Sequence, residues 1–196
     1  MILDMHVHSN DSHCSKLTMK QIINQAKLKD LDAICIVNHD IITRKFPASR
    51  IKILIGCEIT TRDGHLLGFG LNQEIPSKLS VEESIELIQE QAAISIGAHP
   101  FRNIEYIKTR ATELGFHDKI FNINLDAIEI KNGRNTKHEN MQAKKANEIL
   151  KLPEVGGSDA HLLEEIGKIK MKSTNPIENI DDLIYSIKNR KLKLIF

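Results

Sequence analysis

The sequence has no tryptophan, and aromatic residues fill only 4% of its 196 positions. Platforms that stack nucleobases therefore have little material. Positive charge is not in excess: 27 Lys and Arg against 26 Asp and Glu leave a formal net charge of +1. That balance argues against a protein held to a nucleic-acid polymer by bulk charge, although a local phosphate site stays open. No apolar run approaches the roughly 18 residues of a membrane-spanning helix. The opening residues, Met-Ile-Leu-Asp-Met-His, show no basic stretch followed by an apolar one. No signal peptide is expected, and the cytoplasm is the default compartment. The cysteines, Cys14, Cys35 and Cys57, are odd in number and lack a CxxC pair, so no disulfide framework is expected. There is no P-loop or GxGxxG segment, which leaves nucleoside-triphosphate-driven chemistry without support. Linkers, low-complexity tracts and charge blocks are absent too, so one domain over 1–196 is expected.

What the chain does have is aliphatic residues in short runs with polar ends. Residues 1–7 read as a buried strand ending at His6 to His8, and a helical pattern follows through about Asp30. Further strands are expected at 31–37, 51–58, 92–98, 125–130, 153–157, 169–171 and 192–196, with a segment at 65–71 after the Asp63-Gly64 turn. Helices are expected at 80–91, opened by a Ser80-Glu83 capping box, at 138–150 and at about 180–191. Strands alternating with helices imply a largely parallel α/β sheet. In such sheets, and above all in closed barrels, active sites are built at the C-terminal ends of the strands.

Nine histidines are present, at 6, 8, 13, 39, 65, 99, 117, 138 and 161. His6 and His8 are two apart, so on a strand both rings share a face and can reach one ion. Asp159 and His161 repeat that spacing. His39, Glu58 and His99 end strands, His65 begins a segment, and His13 lies in the loop after His8. Taken singly, His39 could finish a strand, His65 could sit in a surface loop and Asp159 could cap a helix. Together the imidazoles and carboxylates suit Zn, Mn or Fe. They exceed what one ion can use, which implies two or three ions, with Glu58 available to bridge. His117 and His138 lie away from strand ends and are expected at the surface. Cys35 and Cys57 read as core; Cys14, beside His13, could touch a soft metal but reads first as a small loop thiol.

Five segments carry a resemblance: Asp4-Met5-His6-Val7-His8-Ser9, Val37-Asn38-His39-Asp40, Gly56-Cys57-Glu58-Ile59, Gly97-Ala98-His99-Pro100 and Gly157-Ser158-Asp159-Ala160-His161. In type and order they resemble the metal-binding motifs of the PHP (polymerase and histidinol phosphatase) superfamily. The resemblance implies a distorted TIM-like (β/α)7 barrel, a trinuclear metal centre and phosphoester hydrolysis. Carried over by position, His6, His8, Glu58 and Asp159 would hold one ion. Glu58, His65 and His99 would hold the second, and His13, His39 and His161 the third. Many members have Asp where this chain has His13, and Asn38 stands where Asp is usual.

The expected chemistry is that of ions that neutralise phosphate oxygens and acidify a water, which then attacks phosphorus in line. Arg102, three residues after His99, is the first candidate for a bidentate phosphate clamp, and Arg134 the second; Arg44 ranks below both. The leading expectation is a metal-dependent phosphoesterase acting on a small phosphorylated metabolite or nucleotide. A nuclease trimming nucleic-acid ends, and a non-catalytic PHP-like binding subunit, are the alternatives. The segments 41–50, 72–80 and 101–124, which would shape specificity, carry no motif.

Overall fold

Ile- and Leu-rich runs form strands here because most of them find apolar cover on both faces. The computed structural model describes residues 1–103 and 115–195. Among these residues are nine strands: β1 (Ile2–Val7), β2 (Ala33–Ile36), β3 (Lys52–Thr60), β4 (His65–Phe69), β5 (Ile94–Ala98), β6 (Ala127–Asn132), β7 (Glu154–Gly157), β8 (Lys170–Ser173) and β9 (Leu192–Ile195). Four α-helices connect them: α1 (Met19–Leu28), α2 (Val81–Glu90), α3 (Lys137–Leu150) and α4 (Ile180–Lys188). Each lies within a few residues of its expected place. Phe196, the expected end of the last strand, and 104–114, part of the specificity segment 101–124, lie outside the described residues. No helix among the described residues is long and apolar enough to cross a membrane.

Three helices start at full capping boxes, built by Thr18 with Gln21, Ser80 with Glu83, and Thr136 with Glu139. In the expected box, the Glu83 N–H donates to Ser80 Oγ at 3.2 Å and the Ser80 N–H donates to Glu83 Oε2 at 2.8 Å.

Strands β1 to β7 follow one another in sequence order, with β8 and β9 added at the other edge of β1. The ring closes where the chain after β7 meets the end of β1. There the His8 N–H donates to the Ala160 carbonyl at 3.0 Å, and the Ala160 N–H donates to the His6 carbonyl at 3.2 Å. Glycine permits this approach: a Cβ on Gly157 would lie 2.3 Å from the His6 Cβ. The result is the expected distorted TIM-like barrel of seven strands.

The sheet is largely parallel, as expected, with two exceptions. β4 runs antiparallel to both β3 and β5, and β8 antiparallel to both β1 and β9. Only residues 61–64 separate β3 from β4, too few for a parallel crossover, so the Asp63-Gly64 turn makes a hairpin.

Residues from all nine strands meet in one interior cluster, among them Leu3, Met5, Cys35, Leu54, Leu67, Ile96, Ala127, Val155, Met171 and Leu192. Leu183 and Ile187 of α4 join them and fill the barrel from one end. Alternate strand residues face outward: Ile34 and Ile36 pack on α1, and Cys57, Ile59 and Leu66 pack with residues of α2 and α3.

Candidate metal centre

The inward-facing alternation of the strands carries the polar residues into the barrel mouth. Two residues beyond Val37 comes His39, and four beyond Leu54 comes Glu58. His65 lies two before Leu67, Glu129 two after Ala127, and Asp159 four after Val155. In β1 the register shifts between Asp4 and Val7, so Leu3 and Met5 and then His6 and His8 all face inward, while Val7 packs outside. His99 directly follows the inward Ala98 and would point outward by simple alternation. Its φ of 28° turns the chain and brings the ring in.

Glu58 stands at the middle, 1% exposed. Its Oε2 lies 3.3 Å from His6 Nε2, 3.2 Å from His8 Nε2 and 3.3 Å from His39 Nε2. Its Oε1 lies 3.1 Å from His65 Nδ1 and 2.8 Å from His99 Nε2. Asp159 Oδ1 closes the other side of the HxH pair, 3.6 Å from His6 Nε2 and 3.3 Å from His8 Nε2. The ring of His8 stacks on those of His39 and His161, with centroids 5.0 and 4.4 Å apart.

The donor set fits divalent ions. Three groups offer ligand atoms that lie within 4.8 Å of one another: His6, His8 and Glu58; His39, Glu58 and His65; and His8, Cys14, His39 and His161. The nitrogens that converge on Glu58 are His6 Nε2, His8 Nε2, His39 Nε2, His65 Nδ1 and His99 Nε2, a mixed nitrogen and oxygen set of the kind divalent transition ions take.

Residues 137–192 match the family described as PHP-associated. The uncharacterized protein MJ1587 of Methanocaldococcus jannaschii is 32% identical over 148 residues, covering 67% of this chain and 82% of that one. The chain belongs to the PHP superfamily. A two-domain protein from Bacteroides vulgatus, described as containing a predicted PHP-like metal-dependent phosphoesterase, shares the fold with a TM-score of 0.73 at 17% identity. The match spans 100% of this chain and 64% of that one. A lesion-specific endonuclease from Pyrococcus furiosus shares it with a TM-score of 0.63 at 19% identity, over 100% of this chain and 58% of that one.

Of the nine expected PHP ligands, the structure brings eight together and leaves one aside. His13 is exposed, its ring centroid 5.8 Å from that of His39. Its neighbour Cys14 turns inward instead, with Sγ 3.1 Å from His161 Nε2. The choice lies in the turn of the loop, which residue type does not reveal.

Arg102, the first candidate for a phosphate clamp, is already engaged by the protein. Arg102 is only 4% exposed. It donates to Asp159 Oδ2 at 2.6 Å, to Asn132 Oδ1 at 2.8 Å and to Asn135 Oδ1 at 2.9 Å. Its guanidinium is aimed at protein acceptors at the ends of β6 and β7. Arg134 is exposed, with Nη1 2.9 Å from His161 Nδ1. Arg44 lies apart from the centre, beside Glu74 at 3.5 Å. His117 and His138 are exposed, and Cys35 and Cys57 are buried, as expected.

One carboxylate of the centre is missing from the expected set. Glu129 Oε1 lies 3.1 Å from His6 Nδ1, and its Oε2 accepts from the His99 N–H at 2.8 Å and from Asn132 Nδ2 at 2.9 Å. A single acid among the apolar residues Ala127 to Ile130 was the available signal.

The protonation of the metal-free centre follows from this crowding. Burial alone would push His6 down, but Asp159, Glu58 and Glu129 outweigh it and raise it to about 10. His8 is likewise held well above its ordinary value, against burial, by Asp159, Cys14 and Glu58. Burial would raise Glu58, yet His39, His6 and His65 hold it well below the usual carboxylate range. Asp159 is held low against burial by Arg102 and His6. His99 falls to about 4, through burial and the Arg102 charge. Burial would raise Cys14, but hydrogen bonds from His161, His39 and His8 bring it to about 3.

Proposed function

We propose that this PHP chain is a metal-dependent hydrolase of phosphoric esters, acting in the cytoplasm on a phosphomonoester or phosphodiester of a small metabolite or nucleotide. Two or three divalent ions (Zn, Mn or Fe) are its cofactors. The placement of Glu58 carries this function: one oxygen faces His6, His8 and His39, and the other faces His65 and His99. A carboxylate set between two groups of imidazoles suits a bridge between two cations, and the cations in turn relieve the cost of burying its charge.

In this proposal His6, His8, Glu58 and Asp159 hold one ion, Glu58, His65 and His99 a second, and His39 and His161 belong to a third. Bound there, divalent ions neutralise charge on phosphate oxygens and lower the pKa of a nearby water. The chain's other residues orient and select. Glu129 fixes the His6 ring through Nδ1 and thereby aims Nε2 into the centre. Arg102 holds Asp159, acting as a positioning residue. Arg134, exposed beside His161, offers a guanidinium fork to the outer oxygens of a phosphate.

A hydrolysis screen tests the function. The purified protein, supplied with Mn, Zn or Fe, is offered p-nitrophenyl phosphate, bis(p-nitrophenyl) phosphate, a panel of nucleotides and sugar phosphates, and single-stranded oligonucleotides. Metal-dependent turnover of at least one small ester, lost in Glu58→Gln, is expected. Turnover of oligonucleotide ends alone would make the chain a nuclease instead. Inertness on every substrate with ions bound would leave a non-catalytic binding subunit.

A further inference from the structure

We infer that Cys14, and not His13, completes the third metal position, as a thiolate ligand beside His39 and His161. This rests on the metal-dependent function proposed above and deepens it at one of its sites. His13 and Cys14 are adjacent in the chain, and the loop presents them in different directions. Cys14 Sγ lies 3.1 Å from His161 Nε2, and His8, Cys14, His39 and His161 each present one ligand atom within 4.8 Å of the others. His13 is exposed, and its ring lies beside that of His39 with centroids 5.8 Å apart.

The loop that makes this choice is pinned on both sides of Cys14. The Ser12 N–H donates to the Ser9 carbonyl at 3.0 Å, and the Ser15 N–H donates to the Ser12 carbonyl at 3.2 Å. Ser15 Oγ donates to the His8 carbonyl at 3.0 Å, and Ser12 Oγ accepts from the His39 N–H at 3.2 Å. Exchanging His13 for Cys14 would require rotating the backbone and breaking these bonds, so a rotamer change is not enough.

The donor chemistry has a consequence for ion choice. Two imidazoles and a thiolate favour borderline-soft ions such as Zn, Co and Fe(II), and disfavour Mn and Mg. The Glu58 positions, with nitrogen and oxygen donors, carry no such bias. The third position is therefore expected to select its ion separately from the other two.

Thiol labelling and cobalt spectroscopy test the inference without an activity assay. Cys35 and Cys57 are fully buried, both 0% exposed, so in the folded protein an alkylating reagent reads Cys14. In the metal-free protein one thiol should react, and its rate should fall towards zero as Zn saturates the chain. The Co-loaded protein should show a sulfur-to-metal charge-transfer band in the near ultraviolet. Cys14→Ser should lose that band and one ion, and His13→Ala should keep both. An unprotected thiol in Zn-saturated wild type, no charge-transfer band, or loss of the ion in His13→Ala but not in Cys14→Ser would overturn the assignment. The two proposals fail separately: hydrolysis with no thiolate band would remove only the Cys14 ligand. A thiolate band in a protein inert on every ester would remove only the hydrolytic function. A chain that binds no ion would remove both.

Discussion

Glu129 Oε1 lies 3.1 Å from His6 Nδ1, across the ring from the Nε2 that faces Glu58 and Asp159. A carboxylate behind a ligand imidazole fixes its orientation and raises its basicity, and losing one typically costs about 10–100-fold in metal affinity. Glu129→Ala is expected to weaken ion binding by that order, read by competition with a chromophoric chelator. Glu129→Gln, which keeps an acceptor oxygen for the His99 N–H, should recover part of it. Unchanged affinity in both variants would reduce Glu129 to a structural partner of Asn132.

Glu58→Gln is expected to lose most hydrolytic activity and at least one ion while keeping the fold, because the amide is nearly isosteric. Elemental analysis and circular dichroism on the same sample would check both halves. Full occupancy and full activity would show that Glu58 is no bridge.

The two arginines should separate in their effects. Arg102→Ala removes the partner of a buried carboxylate, a change that costs about 3–5 kcal/mol in comparable ion pairs. It should lower both the melting temperature and the metal content. Arg134→Ala should leave the ions in place and weaken kcat/KM for phosphorylated substrates by roughly tens-fold, the loss of a charge-assisted contact worth about 2 kcal/mol. A melting curve, an ion count and a kinetic series on both variants would decide.

Metal uptake should release protons. His6 in the metal-free centre is raised from 6.5 to about 10 by its carboxylates, so it carries a proton at pH 8 that an ion must displace. The sign for the metal-free fold follows: this proton stabilises it below about 6.5, and the benefit is lost as pH rises through about 10. Apparent metal affinity should therefore climb with pH over the same window. Titration calorimetry in buffers of different ionisation enthalpy would measure the released protons, and none released at pH 8 would contradict the charged His6.

Gly157→Ala should be destabilising by on the order of 1–3 kcal/mol, since its Cβ would fall 2.3 Å from the His6 Cβ. The strain pushes apart the two strands that close the barrel, so thermal stability and ion binding are expected to fall together. A variant with wild-type melting and occupancy would show that this seam yields freely.

The legible part of this protein was the part written in local periodicity. Alternation within strands decides which residues share a face, and so the HxH of β1, His39, Glu58 and Asp159 were readable as a converging set, along with the strand-helix cadence and the Ser80-Glu83 cap. The family motifs in order then named the barrel. Glu129 obeyed the same alternation, two residues after Ala127, but a lone acid in an apolar strand has no partner visible in its own segment. What only the tertiary structure decided depends on where a loop or a neighbouring strand sends a side chain. Cys14 rather than His13 enters the centre because hydrogen bonds from Ser12 and Ser15 set the loop's turn. Arg102 meets Asp159 and Asn132 because the ends of β5, β6 and β7 lie side by side in the closed barrel. β4 runs against its neighbours because a hairpin too short to cross over precedes it. Periodicity within one element specifies a face; the direction of a loop, and the partner a buried charge meets, arise only when elements distant in the chain close on one another.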